Sequence, residues 1–453
     1  MTPIPRTLLF LLSAICSTVP VVAGGNFVLS TSGSGRATAY LESPKIATFE
    51  GRTHVAWLDS TAEGFRIRIR TLDTKTGEWS PAVTVGEAED NHGGPALVVD
   101  REGYLHIVFY SHHHPFRYRR SLRPNDASEW TPYEEFGTNL TYPSMVVAKD
   151  GSLVLAARRS YDDAPWELEM WRKPPGESWS RQGAVLRSRH TGYAQFAGSL
   201  AWGPDHTTLH LGTRIYETLA DEQQSPLTTV GYLKSEDGGW HWTHADGIPV
   251  TLPATAESVD VIASGRGRES RILNAGSIGV APDGTPFVPY SVRCDDASEA
   301  WLATPAGNGK WRHLHLNPFL PDTFRDWALF MHGGLAFGAS GQPMLVATLM
   351  RLKPETVDWG EPTTEVVCFR SEDGGLSFTA EVLDHPDPLT PRWMPNIERP
   401  TGFNQMPPNP AFIYTDGSRG TSLSDVLSNR VIYHSDAGQG SATRAAGPAG
   451  SGR

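Results

Sequence analysis

Arg101-Glu-Gly-Tyr-Leu-His-Ile-Val-Phe109 is a polar turn followed by an apolar strand, and the chain repeats that pattern at intervals. Earlier it reads Glu50-Gly-Arg-Thr-His-Val-Ala-Trp-Leu58, and later Lys149-Asp-Gly-Ser-Leu-Val-Leu-Ala156, Asp205-His-Thr-Thr-Leu-His-Leu211 and Asp283-Gly-Thr-Pro-Phe-Val-Pro-Tyr290. Ser340-Gly-Gln-Pro-Met-Leu-Val-Ala347 and the degenerate Pro410-Ala-Phe-Ile-Tyr414 complete the series. A second strand follows each copy, as in Phe65-Arg-Ile-Arg-Ile-Arg70, Leu168-Glu-Met-Trp-Arg172 and Glu365-Val-Val-Cys-Phe-Arg370. Most units then close on an aromatic residue: Trp79, Trp130, Trp179, Trp242, Trp311 or Phe378. A unit of this size cannot bury both faces of its own sheet, and packing copies around an axis solves that problem. Seven copies of about four strands predict an all-β protein, a seven-bladed β-propeller.

The bulk composition agrees. The chain has 453 residues, 45 of them Gly and 35 Pro, which suits many tight turns. A net charge of −11 argues against a nucleic-acid binder. Residues 1–23 read as a signal peptide: Arg6 supplies the positive charge, Leu8 to Val22 the apolar core, and Val21-Val22-Ala23 a small-residue cleavage site. The expected product is a secreted or periplasmic monomer with no membrane contact after cleavage. Residues 24–436 form its catalytic propeller domain, and the Gly/Ala/Ser-rich residues 437–453 a disordered tail. Only Cys294 and Cys368 remain, too few for a disulfide framework. Asp260 to Leu273, with weak periodicity, reads as a long loop.

In a propeller blade the innermost strand runs one way and the next returns. The start of the first and the end of the second therefore share a face. His92, Tyr142, Tyr193 and His332 fall at starts of innermost strands. His112, His113 and His114, Arg158, Arg214, Arg293 and Arg351 fall at ends of second strands. One face near the axis is thus expected to hold His, Tyr and Arg together, a positively charged funnel in an acidic protein, suited to an anionic ligand. His92, His112, His113, Tyr142 and Arg158 are the candidate catalytic set, and Tyr193, Arg214, Arg293, His332 and Arg351 the candidate substrate-binding set. Consecutive strand residues point to opposite faces, so of the three-His run only His112 and His114 are placed to share a metal, and no third ligand is evident. No metal site is assigned and no cofactor is required, although the sequence is compatible with a structural Ca2+ or Zn2+ that it does not locate. His54, His106 and His210 read as packed strand residues.

The residues from Asn91 to Ser160 resemble those of the propeller-type ulvan lyases, within a broader set of BNR-repeat polysaccharide-degrading enzymes. The resemblance lies in the His92-x-x-Pro95 strand, the Gly-Tyr-Leu-His turn, His-His-x-Pro-Phe-Arg-Tyr-Arg-Arg-Ser, and the spacing from Tyr142 to Arg158. Asn396-Ile-Glu-Arg-Pro-Thr-Gly402 looks similar to that set as well. Ser235-Glu-Asp-Gly-Gly-Trp-His-Trp242 and Ser371-Glu-Asp-Gly-Gly-Leu-Ser-Phe378 resemble the Asp-box of sialidase-like propellers. There Asp237 and Asp373 would brace a turn rather than act in catalysis.

The resemblance implies a polysaccharide lyase that cleaves an anionic, 4-linked uronate polymer of rhamnose and glucuronate or iduronate. Its active site would hold two His, a Tyr and an Arg: His92, His112 or His113, Tyr142 and Arg158. Elimination needs the C5 carboxylate neutralised, a base for the C5 proton and an acid for the leaving O4. Arg158 suits the first task, with His113 or His112 beside it. Tyr142 suits the acid, or the base if nearby Arg lowers its pKa, and neutral His92 is the other base. The alternatives are a glycoside hydrolase acting on rhamnose–glucuronate linkages, or a carbohydrate-binding propeller without catalysis.

Overall fold

The computed structural model describes residues 25–219, 226–265, 272–293, 298–351, 363–387 and 389–436, with the side chain of His332 excepted. The expected signal peptide and tail, and Cys294, lie outside the described residues.

Antiparallel strands make up the fold. Glu134–Val147, Leu153–Arg159, Pro165–Lys173 and Ser180–Thr191 pair in chain order, as four strands of one meander. The same order recurs from Ala328–Phe337 to Thr379–Val382. Gly25–Gly33 is the exception, because it pairs with Asn429–Ser435 and joins the beginning of the described chain to its end. The stretch expected to be a loop is partly strand. Asp260–Gly265 pairs with Leu227–Ser235, and Ile272–Ala275 opens the next sheet, with 266–271 outside the described residues. Among the described residues no helix is long and apolar enough to cross a membrane.

The sequence pattern accounts for which faces are buried. Gly64–Asp73 alternates, with Phe65, Ile67 and Ile69 buried and Arg66, Arg68 and Arg70 outside, the period of two of a half-covered strand. Ala96–Val99 and Leu105–Phe109 are buried at every position, as strands covered on both faces must be. The apolar side chains meet between neighbouring meanders rather than within one. Val154, Leu168 and Met170 pack on Leu200, Leu209 and Leu211 of the next sheet.

His54, His106 and His210 are packed as expected. His106 pairs with the Tyr118 hydroxyl at 2.7 Å and with Asp100 at 3.0 Å, and His210 with the Tyr232 hydroxyl at 2.7 Å. Asp237 and Asp373 also brace their turns. Asp237 Oδ1 accepts the backbone N–H groups of Trp240 and His241 at 3.1 and 3.0 Å. Asp373 Oδ1 accepts those of Leu376 and Ser377 at 3.0 and 2.9 Å. Gly238 and Gly239 sit at φ of 78° and 103°, where a side chain would be strained, which explains the paired glycines. Trp242 lies beneath, donating from Nε1 to Gly239 O at 2.9 Å. Trp242→Ala is expected to remove about 3–5 kcal/mol of stability through the cavity it leaves. Urea or thermal unfolding measures this, and an unchanged midpoint would remove the turn from the core.

Candidate active site

Two strands that enter through proline build the site. His92-Gly-Gly-Pro95 leads into Ala96–Val99, and Tyr142-Pro143 lies inside Glu134–Val147. Around them both ladders slip. The pairing of Glu134–Val147 with His112–Arg123 steps from Leu140↔His114 to Thr141↔His112, leaving His113 as the extra residue. Against Leu153–Arg159 it shifts between Thr141 and Ser144, around Tyr142. His113 and Tyr142 accordingly take φ of 55° and 60°, a strained region for side chains of this size. The bulge defeats the strict alternation expected of a strand. Adjacent His112 and His113 both reach the site, with ring centroids 4.7 Å apart.

Their roles differ. His113 Nε2 accepts from Arg158 Nη2 at 3.1 Å, so its Nδ1 carries the hydrogen and donates to Ser160 Oγ at 2.6 Å. Both nitrogens of that ring are engaged, Nε2 by Arg158 and Nδ1 by Ser160. Burial, then the Arg158 charge, lower its pKa to about 4. His112 donates from Nδ1 to Asp90 Oδ2 at 2.6 Å, which leaves Nε2 with its lone pair. Its ring stacks on His92 at 4.1 Å. Asp90 also accepts the His92 backbone N–H at 2.8 Å and lies 3.3 Å from His92 Nδ1. Arg36 Nη1 contacts both His92 Nε2 and the Tyr40 hydroxyl. Burial lowers the His92 pKa to about 4, so this ring is neutral at pH 7.

Tyr142 is buried, and burial raises its phenol to about 12 although Arg158 pulls the other way. Burial thus outweighs the neighbouring Arg158, and the phenol is protonated at neutral pH. The Arg158 guanidinium stands 4.6 Å from the Tyr142 ring, 4.8 Å from Trp166 and 5.6 Å from Tyr193. Its Nε and Nη1 are buried without a hydrogen-bond partner among the described residues. Beside this group opens a cavity of about 290 Å³ lined by Arg36, Tyr40, Glu42, His92, Tyr142, Tyr193, Gln195 and Arg214, among others. A larger groove of about 620 Å³ lies at the turns around Tyr104 and Lys149, away from these groups.

Thus His92, Tyr142, Tyr193 and Arg214 line the cavity, and His112, His113 and Arg158 adjoin it. Arg293 and Arg351 are not among the lining residues. Arg293 is the last residue of Pro286–Arg293, and Arg351 lies one past Pro343–Met350, exposed. His332 lies in Ala328–Phe337. Sequence reasoning passed over Arg36, Tyr40, Glu42, Asp90, Trp166 and Gln195. One signal pointed at Tyr40 and Glu42: Tyr40-Leu-Glu-Ser-Pro44 has its proline four residues on, as does Asn91-His-Gly-Gly-Pro95. It also missed a donor set. Asp90, His92 and His112 offer ligand atoms within 4.8 Å of one another, a trio a divalent cation would fit.

The profile of a BNR repeat-containing family member matches residues 52–317. The chain belongs to the BNR repeat-containing family. Among proteins of known function it is similar to an ulvan lyase of Nonlabens ulvanivorans, 22% identical over 302 residues, 58% of this chain and 63% of that protein. An ulvan lyase of Pseudoalteromonas is 25% identical over 160 residues, 30% of this chain and 32% of that protein. The chain therefore spans less than two thirds of the length of these relatives. A solved ulvan lyase bound to GlcA(1-4)Rha3S superposes with a TM-score of 0.66 at 15% identity, covering 89% of this chain and 94% of that one. A second solved polysaccharide lyase gives 0.60 at 12% identity, over 92% and 100%. Both likenesses are of fold.

Proposed function

We propose that this protein is an exported polysaccharide lyase that cleaves an anionic, 4-linked uronate polymer of the ulvan type by β-elimination. One observation carries the reading: a buried arginine with unfilled donors, a protonated phenol and a histidine backed by a carboxylate share one site. Arg158 binds the C5 carboxylate and stabilises the enolate-like charge that develops when C5 loses its proton. His112, oriented by Asp90 through Nδ1, takes the proton at its open Nε2. Tyr142 gives its proton to the departing O4, and the C4–O4 bond breaks as the C4–C5 double bond forms. His92 completes the stacked pair, and His113 fixes the arginine. Tyr193 and Arg214 bind neighbouring sugars, and His332, Arg293 and Arg351 extend that surface. The enzyme acts as a monomer.

The scaffold we propose is a closed, seven-bladed propeller. Among the described residues, seven apolar clusters each bridge two neighbouring meanders, and one of them joins Leu29 and Val431 to Val55 and Trp57. An open row of seven units would have six such interfaces, so the seventh supports closure.

The reaction we propose needs no metal, because the short Asp90–His112 contact serves as an orienting hydrogen bond. Purified protein mixed with ulvan is expected to raise the ultraviolet absorbance of the 4,5-unsaturated uronate, with and without EDTA. Loss in EDTA restored by Zn2+ or Ca2+ would make Asp90, His92 and His112 a metal centre or reveal a structural cation. New reducing ends without that absorbance would mean a hydrolase, and retention of uncut polymer a binding protein.

A further inference from the structure

The cavity contains one acidic side chain among its arginines, and nothing in the lyase reaction above uses it. Glu42 is 2% exposed, and its Oε1 has no hydrogen-bond partner among the described residues. Its backbone is clamped on every side. Arg399 donates to Leu41 O at 2.6 Å and also to Glu42 O. Asn396 Nδ2 donates to Tyr40 O and Ser43 O at 3.0 and 3.1 Å, and Ser43 Oγ donates to Pro143 O at 2.6 Å. Four successive residues are thus tied down, and the carboxyl is presented to the cavity by a rigid frame. A buried, unmet carboxyl oxygen is costly unless something fills its bonding position. In a cavity it shares with Arg36 and Arg214, that partner is a ligand group.

The arginines point to an anion. Arg214 spends donors on the neutral amides Gln195 and Asn274 rather than on a carboxylate, and its Nε is buried without a partner. A sugar carboxylate drawn in by these charges arrives beside Glu42, and two carboxylates at close quarters cannot both stay ionised. We propose that Glu42 is a specificity residue that takes up one proton as an acidic sugar enters and donates it in a hydrogen bond to the sugar's carboxylate. This rests on the uronate reading above. Burial already raises the Glu42 pKa to about 7, against the pull of Arg214, Lys45 and Arg399, so the proton is available near neutrality. Tyr142, facing from Glu134–Val147, stays neutral there, and burial raises Tyr40 as well. Lys45 is the competing group: burial lowers it to about 7, with Nζ donating to Pro95 O at 2.9 Å.

Calorimetry with glucuronate as the probe tests this without turnover, in buffers of different ionisation enthalpy. Uptake of one proton makes wild-type affinity fall about tenfold per pH unit above pH 7. Glu42→Gln keeps an N–H donor and cannot titrate. It is expected to bind within a few-fold of wild type at pH 6 and to lose the slope between pH 7 and 8. A wild-type slope in the folded variant would assign the proton to Lys45 and overturn the proposal. So would a variant with unchanged melting temperature that fails to bind at pH 6, because a carboxylate acceptor would then be the requirement. Ulvan elimination together with pH-independent glucuronate binding would sink this role of Glu42 alone. Absence of both elimination and glucuronate binding would sink the uronate reading with it.

Discussion

On the proposed mechanism, replacing Tyr142 with phenylalanine is expected to lower kcat on ulvan by about a thousandfold and to leave KM within a few-fold. Positioned acids contribute about 10²–10⁴ in rate, and a thousandfold loss corresponds to about 4 kcal/mol of transition-state stabilisation. The phenol is 5% exposed and its pKa is raised to about 12, so it is protonated at neutral pH. Phenylalanine keeps the ring against Tyr40, whose centroid is 4.4 Å away, and against the Arg158 guanidinium. Melting temperature should therefore hold while turnover collapses, and initial rates of unsaturated-uronate formation measure the loss. Near-normal rates would move the acid to Tyr40 or Tyr193, the other phenols in the cavity.

Arg158→Lys is expected to lower kcat/KM by about 10²–10³. The guanidinium reaches His113 Nε2 with Nη2, and its Nε and Nη1 remain as unmet donors for a carboxylate. An ammonium provides a point charge and no fork, and it cannot hold His113 while also gripping the substrate. It also leaves room between Tyr142 and Trp166 that the flat guanidinium now occupies. Activity within threefold of wild type would show that Arg214 or Arg36 carries the carboxylate instead.

The strand repeats were readable because burial follows local pattern: Phe65, Ile67 and Ile69 alternate with arginines, and Leu105–Phe109 is apolar throughout. The rule that strand starts and strand ends share a face found His92, Tyr142, Arg158 and Arg214. It does not say how far along its strand a residue sits. Arg158 and Arg214 lie inside Leu153–Arg159 and Leu209–Glu217, whereas Arg293 and Arg351 sit at or beyond the last paired residue. Asp90 looked like an ordinary turn residue, since its partner His112 is a neighbour only after the hairpin closes. The pairing of His112 with His113 depends on a slipped ladder, and nothing in the residue types announces a bulge. Arg36 precedes the first repeat and no motif marked its place, whereas Tyr40 and Glu42 were marked only by the spacing to Pro44.

The pairing of Gly25–Gly33 with Asn429–Ser435 also governs how the molecule is made. Asn26 and His434, joined at 2.8 Å, are 408 residues apart in the chain. During synthesis Gly25–Gly33 keeps that edge unpaired until a partner some 408 residues further along has been made. Contacts of such separation slow folding, and a waiting edge invites association with other chains. Shielding that strand, by a chaperone or by slower translation in the cold, should raise the yield of folded protein.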